Sequence, residues 1–399
     1  MIPCLFAGWS ESDYAMRVLF WSTLFWPYIG GSEYFGAKLV SALRERGYEL
    51  IVLTSHDYLD LPDETHYRGI PIYRLPLLQA LRDSDASRFI EICQKVKKLK
   101  QTFKPDLIHL NGVNSTTVFH LRTVDAQPAA TLVRVNQELL PHQHLGPETI
   151  FSQTLRSARW TTCVSSAVLK HATRLVPEIA RRSSVIYNGL EIPSFSPTPL
   201  SFEAPRLMCV GRLVPAKGFD LALVALASII ERYPNIRMVI AGDGPDRPQL
   251  ERQTSQLGLS DVVEFLGLVE PEKVLALINR ATLVLIPSRY EGLPTVALQA
   301  ALMARPIVAT RVGGLAEAVI DQQTGLLVES GDSHSLAEAI AFLLSNPQGA
   351  IEMGTAGRKR AQRLFLWQRC VDAYDALYKR LVAGTDTGKS LQSARAGSR

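Results

Sequence analysis

Twice along its length, this chain alternates short apolar, β-branched runs with longer stretches of helical pattern. The first series lies at 17–21, 49–54, 107–110, 131–135, 161–164 and 185–187, and the second at 206–210, 236–241, 262–266, 283–286, 306–309 and 325–328. A run that is apolar throughout is how a strand covered on both faces reads, and strands that alternate with helices assemble as parallel sheets. Two such series predict two doubly wound α/β domains, and 399 residues are too many for one ordinary core. Between the series, Pro193, Ser194, Ser196, Pro197 and Pro199 mark a linker.

Composition narrows the class. With 47% hydrophobic and 20% charged residues the chain reads as globular. A net charge of +5 suits attraction to small anions such as nucleotide diphosphates, or to acidic lipid headgroups, without demanding nucleic acid. No run approaches the roughly 18 apolar residues of a membrane span. Five cysteines without a Cys-x-x-Cys pair point to buried thiols in a reducing compartment, and the absence of a basic leader argues against a signal peptide. The expectation is a cytoplasmic protein.

Ligands of open α/β sheets bind beyond the carboxyl ends of the strands. Glu291 falls there, after the run 283–286 and just ahead of Pro294, which suits the first turn of a helix. After the run 206–210 comes Gly211-Arg212-Leu213-Val214-Pro215-Ala216-Lys217-Gly218, a loop with two cations able to offset a leaving diphosphate. Gly30-Gly31 follows the first run and opens a helix whose N-terminus favours anions. Gly242 and Gly244 follow the run 236–241, but Arg247 stands at the third position of a dinucleotide fingerprint, which weakens a hydride-transfer reading.

Taken together, these segments resemble glycosyltransferase family 4, the group 1 glycosyltransferases. Arg212 and Lys217 match its Gly-Arg-x4-Lys-Gly signature, Glu291 and Gln299 occupy its Glu-x7-Glu spacing, and Val312-Gly313-Gly314 and Thr324-Gly325 complete the pattern. The resemblance covers nearly all of 16–381 and is densest over 210–328. It implies a GT-B fold: a Rossmann-like acceptor-side domain over 16–190, a nucleotide-sugar-binding domain over 200–363, and a helix at 364–381 crossing back onto the first domain. The segment 383–399, rich in Gly, Ser and Thr, reads as a disordered tail, and the first fifteen residues as loosely attached.

The resemblance further implies retaining, metal-independent transfer from a UDP-, GDP- or ADP-sugar, which is a substrate rather than a cofactor, to a hydroxyl of a glycan, lipid-linked or small-molecule acceptor. Glu291, Arg212 and Lys217 take the catalytic roles. Gly30, Gly31, Gly242, Leu268, Gly292, Leu293 and Gln299 join them around the donor. His109, Asn111 and Asn136, at strand ends expected to face the cleft, lie on the acceptor side.

Several positions depart from the family. Gln299 replaces the second acid, although an amide can still hydrogen-bond a ribose. His109 stands alone where a His-x-His is common, Asn136 replaces a second histidine, and Ala304 replaces a helix-ending glycine. These departures keep open a catalytically weakened sugar-nucleotide-binding partner subunit, and the fold also admits a phosphorylase or a sugar-nucleotide epimerase. Asp83-Ser84-Asp85 has the form of a metal-binding acidic pair but precedes a helix instead of ending a strand, and His142 and His144 lack a partner cluster. Lys95, Lys97, Lys98, Lys100 and Lys104 flank an apolar stripe of Ile92, Val96, Leu99 and Phe103. That pattern reads as a solvated surface helix first and as a peripheral membrane contact second.

Overall fold

The computed structural model describes residues 15–396 apart from 29, 58, 138–145 and 147, with side chains described up to residue 383. The first fifteen residues, except the last, and the pair His142/His144 therefore lie outside the described residues.

Among the described residues fourteen strands form two sheets. The first contains β1 (Arg17–Trp21), β2 (Glu49–Ser55), β3 (Glu64–Tyr67), β4 (Ile70–Leu75), β5 (Leu107–Asn111), β6 (Ala130–Val135), β7 (Trp160–Cys163) and β8 (Ser183–Val185), in the order β3-β4-β2-β1-β5-β6-β7-β8. All neighbours are parallel except β3 and β4. The second contains β9 (Arg206–Val210), β10 (Arg237–Ala241), β11 (Val263–Gly267), β12 (Leu283–Ile286), β13 (Ile307–Thr310) and β14 (Gly325–Val328), all parallel, in the order β11-β10-β9-β12-β13-β14.

The central strands β1, β5, β9 and β12 are the apolar runs of the sequence, and β12 is buried at every residue. Strand order reverses between β1 and β5 in one sheet and between β9 and β12 in the other. At such a switch point the connections leave the sheet in opposite directions and open a crevice at the strands' carboxyl ends. The loops bearing Gly30-Gly31, Arg212-Lys217 and Glu291 all start from these four strands.

The β3–β4 hairpin is absent from the sequence reading. Its turn places Arg68 (φ 49°) and Gly69 (φ 75°) both in the left-handed region, the geometry of a tight hairpin, but Arg-Gly lacks the Asn-Gly or Asp-Gly signal that usually announces it.

The last helix, Trp367–Ala396, follows the helix Pro347–Leu364 and returns to the first domain. Trp367, Val371, Tyr374, Tyr378 and Leu381 share one hydrophobic core with Val18, Phe20, Leu39 and Leu132. Its backbone stays helical to Ala396, past the point at 383 where composition reads as a disordered tail. Once a helix is nucleated by packing, each further turn costs little.

The chain crosses between domains twice, side by side. Leu190 N–H donates to Phe365 O at 2.8 Å, and Trp367 N–H donates to Leu190 O at 2.8 Å. A further tie comes from Glu317 of the second domain. Its carboxylate accepts the backbone amides of Ser166 and Ala167, at 2.9 and 2.8 Å, in the first turn of the helix Ser166–Leu175, and also the Tyr187 hydroxyl at 3.0 Å. Anions are favoured at that helix end.

Cys163, Cys209 and Cys370 are buried and Cys93 is partly so; all four are free thiols. Among the described residues no helix is long and apolar enough to cross a membrane.

Candidate active site

The loop after β12 lies against the loop after β9, held by polar contacts at both ends. Arg289 N–H donates to Ala216 O at 2.7 Å, and the Arg289 guanidinium forks onto Asp220 at 2.9 and 2.7 Å while also reaching Pro215 O. A planar guanidinium on a carboxylate fixes orientation as well as distance. Gly218, at φ 66°, packs so close to the Pro287 carbonyl that a Cβ there would collide with it. Glycine is required at that turn both by its backbone angle and by the space.

This arrangement brings Lys217 to Glu291. Lys217 Nζ lies 2.6 Å from Glu291 Oε1, which also accepts the Ser288 hydroxyl at 2.8 Å. The Glu291 side chain is only 8% exposed, so its charge rests largely on these two donors. Arg212 is exposed at the mouth of the same loop.

Across from Arg212 lies Glu33, in the first turn of the helix Gly31–Glu45. Its carboxylate folds back over Gly30, where a Cβ would meet it. Burial raises its pKa, opposed by a hydrogen bond from its own backbone and by the charge of Arg212. Gly30 and Gly31 therefore face the cationic loop across the crevice.

Gly292 sits against the Asn136 carbonyl of the first domain with no room for a Cβ, and Gly313 and Gly314 pack on the Glu291 and Gly292 carbonyls. Backbones from both domains thus converge within one residue of Glu291. Leu293 is buried, Gly242 follows β10, and Leu268, after β11, is exposed. Gln299 lies half-buried on the helix Thr295–Leu302, and its side chain makes no hydrogen bond among the described residues.

The acceptor-side residues are arranged otherwise than expected. His109 is fully buried within β5, its ring stacked on Tyr374 at 5.4 Å and its Nδ1 2.5 Å from the Tyr378 hydroxyl, so it faces the returning C-terminal helix and not a cleft. It sits two residues before the strand end, where side chains still belong to the core. Asn111 is buried too; it donates to Ser22 Oγ and Ser32 O at 3.3 Å each. Asn136 donates to Ser32 Oγ at 3.0 Å and, of the three, lies nearest the Glu291 loop.

Asp85 caps the helix Ala86–Phe103 by accepting from Arg88 N, and Asp83 pairs with the Arg88 side chain, which gives that acidic pair a structural role. Lys100 of the same helix is buried, not solvated. It follows Ile92 and Val96 at helical spacing and donates to Thr123 O and Oγ1 at 2.9 Å each. Burial holds its pKa down to about 7.

Ser288, Glu33, Asp220 and Arg289 were missed by the sequence reading. Ser288 adjoins the motif, and Glu33 follows the glycine pair by two residues, so both were within reach. The Asp220–Arg289 pair joins a helix start and a loop 69 positions apart in sequence, too far to be seen.

Two Rossmann-like domains of parallel sheet, each opening a crevice at its switch point, make up the GT-B fold. Family models match on both halves: Glycosyltransferase Family 4 over residues 29–192 and Glycosyl transferases group 1 over 196–360. The chain belongs to this family of glycosyltransferases. It is similar to an uncharacterized glycosyltransferase of Methanocaldococcus jannaschii, 26% identical over 378 residues that make up 92% of this chain and 99% of that one. In structure it resembles sucrose-phosphate synthase from Thermosynechococcus elongatus, with a TM-score of 0.80 at 23% identity over 92% of this chain and 100% of that one. It also resembles Anabaena HepE, solved in complex with UDP and glucose, with a TM-score of 0.73 at 21% identity over the same shares of the two chains.

Proposed function

We propose that this glycosyltransferase moves a sugar from a nucleotide-sugar donor to an acceptor hydroxyl with retention of configuration and without a metal ion. The observation that carries the reading is the Lys217–Glu291 contact at 2.6 Å, made from the same loop as the exposed Arg212. A loop with two cations and one oriented carboxylate then share the carboxyl ends of β9 and β12. HepE, of the same fold, has been solved with UDP and glucose, which supports a nucleoside diphosphate as the donor's leaving portion.

In this reading Arg212 and Lys217 offset the charge that develops on the departing diphosphate. Glu291 orients the sugar. With Oε1 already engaged by Lys217 and Ser288, it suits orientation better than attack on the anomeric carbon. Front-face displacement follows. The anomeric carbon–phosphate oxygen bond breaks, the acceptor oxygen bonds to the same carbon on the same face, and the acceptor's proton passes to the departing phosphate. Gln299 hydrogen-bonds the ribose as a neutral group. The acceptor enters from the Asn136 side.

A thermal-shift screen of nucleoside diphosphates and their sugars selects the donor. The purified protein should then hydrolyse that donor slowly in excess EDTA, and Glu291→Ala should abolish the hydrolysis. Binding without turnover would favour a sugar-nucleotide-binding subunit. Turnover lost with EDTA and restored by manganese would remove the metal-independent mechanism.

A further inference from the structure

One hydrogen-bonded path runs from the glycine loop of the first domain to the Glu291 loop of the second, and none of the proposed chemistry uses it. Its centre is Arg134 on β6, only 2% exposed. One end of its guanidinium, Nη1, donates to Asn111 Oδ1 at 2.8 Å, and Asn111 in turn donates to Ser32 O in the first turn after Gly30-Gly31. The other end, Nη2, donates to Asn188 Oδ1 at 2.6 Å. The face of the guanidinium lies 3.7 Å from the centre of the Phe35 ring, on the same helix as Ser32. Asn188 stands just before the crossing at Leu190, and its Nδ2 donates to the Leu293 carbonyl at 3.1 Å. Leu293 is two residues from Glu291.

A buried guanidinium needs several partners, and this one spends both arms of its fork on two amides whose remaining groups reach opposite sides of the crevice. Resting on the reading of this site as the donor site, we infer that Arg134 and Asn188 are positioning residues that hold the Glu291 loop in register with the glycine loop. Neither touches the substrate. Their effect is exerted through the Leu293 carbonyl. Lysine cannot replace Arg134, because a point cation cannot bridge two amides in fixed directions. Aspartate at 188 separates the two links: it still accepts from Arg134 but has no N–H for Leu293 O.

Hydrogen–deuterium exchange on the full chain tests the tether without any substrate. In Asn188→Asp, amides over 289–295 should exchange about tenfold faster, the change expected from one lost hydrogen bond, while β1 and β9 keep their protection. Arg134→Lys should loosen 289–295 and also the first turn of the helix Gly31–Glu45. Unchanged exchange over 289–295 in folded Asn188→Asp would overturn the proposal, as would loss of protection throughout the second sheet. In a second arm, with UDP-glucose as the probe, Asn188→Asp should slow glucose release about tenfold and leave UDP affinity within about twofold. Equal losses in both would mark a merely structural role. If the wild type leaves UDP-glucose intact, that choice of donor fails in this arm while the exchange arm still decides the tether.

Discussion

Lys217 and Glu291 sit 2.6 Å apart, 74 positions separated in sequence, and each restrains the other before any ligand arrives. Breaking one partner leaves the carboxylate of Glu291, 8% exposed, with a single hydroxyl donor. Lys217→Met should therefore destabilise the chain by about 1–3 kcal/mol, and adding Glu291→Gln should recover part of that loss, because a neutral amide needs no cation. Denaturant titration of the singles and the double measures the coupling. Strict additivity would mean that the contact carries no energy.

Arg212 has a different task, since it is exposed and its charge reaches Glu33 of the first domain. Arg212→Ala should weaken nucleoside diphosphate binding by about 1.5–3 kcal/mol while leaving affinity for the bare nucleoside near wild type. Calorimetry with the two ligands separates them. Equal losses would place Arg212 away from the phosphates.

Gln299 should respond to charge and to loss of polarity in opposite ways. Gln299→Glu should keep or raise donor affinity, because charge-assisted hydrogen bonds are roughly twice as strong as neutral ones, and Gln299→Leu should lower it. Unchanged affinity in folded Gln299→Leu would take this residue out of the site.

Ala304 follows the helix Thr295–Leu302 with a φ of 52°, a conformation in which a Cβ is strained. Relieving that strain should outweigh the added freedom of the unfolded chain, so Ala304→Gly should stabilise the fold by up to about 1 kcal/mol. A lower midpoint in thermal unfolding would contradict this.

His120 is buried beside Trp21 and Lys100. Burial first, and the Lys100 charge second, hold its pKa down to about 3 from 6.5. Between those values the unfolded chain binds the extra proton, so stability falls as pH drops through this window, by up to about 1.4 kcal/mol per unit for one group. His120→Phe removes that share. Its stability relative to wild type should rise steadily from pH 6.5 towards 4 in urea titrations, and a constant difference would show that His120 does not titrate on unfolding.

How legible the molecule is from its sequence depends on the range of the interaction involved. β1, β9 and β12 coincide with the expected runs, because a strand covered on both faces is written as unbroken apolar sequence. The loops bearing Arg212, Lys217 and Glu291 are legible at strand ends for a related reason: their motifs are local and follow those apolar runs directly. His109 was misplaced because its neighbours Tyr374 and Tyr378 come from the far end of the chain. Glu317 on Ser166 and Asn188 on Leu293 escaped notice for the same reason. Each is an ordinary polar residue until the second domain arrives beside the first.

The returning helix makes that lateness concrete. Tyr374, Tyr378 and Trp367 complete the apolar core around Phe20 and His109, yet they are translated after the whole of the second domain. A ribosome adding about 5–20 residues per second needs roughly ten to forty seconds to go from the end of the first domain to this helix. Through that interval the nascent first domain presents an unfinished apolar face. Synthesis order and folding order are thereby uncoupled, and the core of the first domain closes only after the second domain has been made.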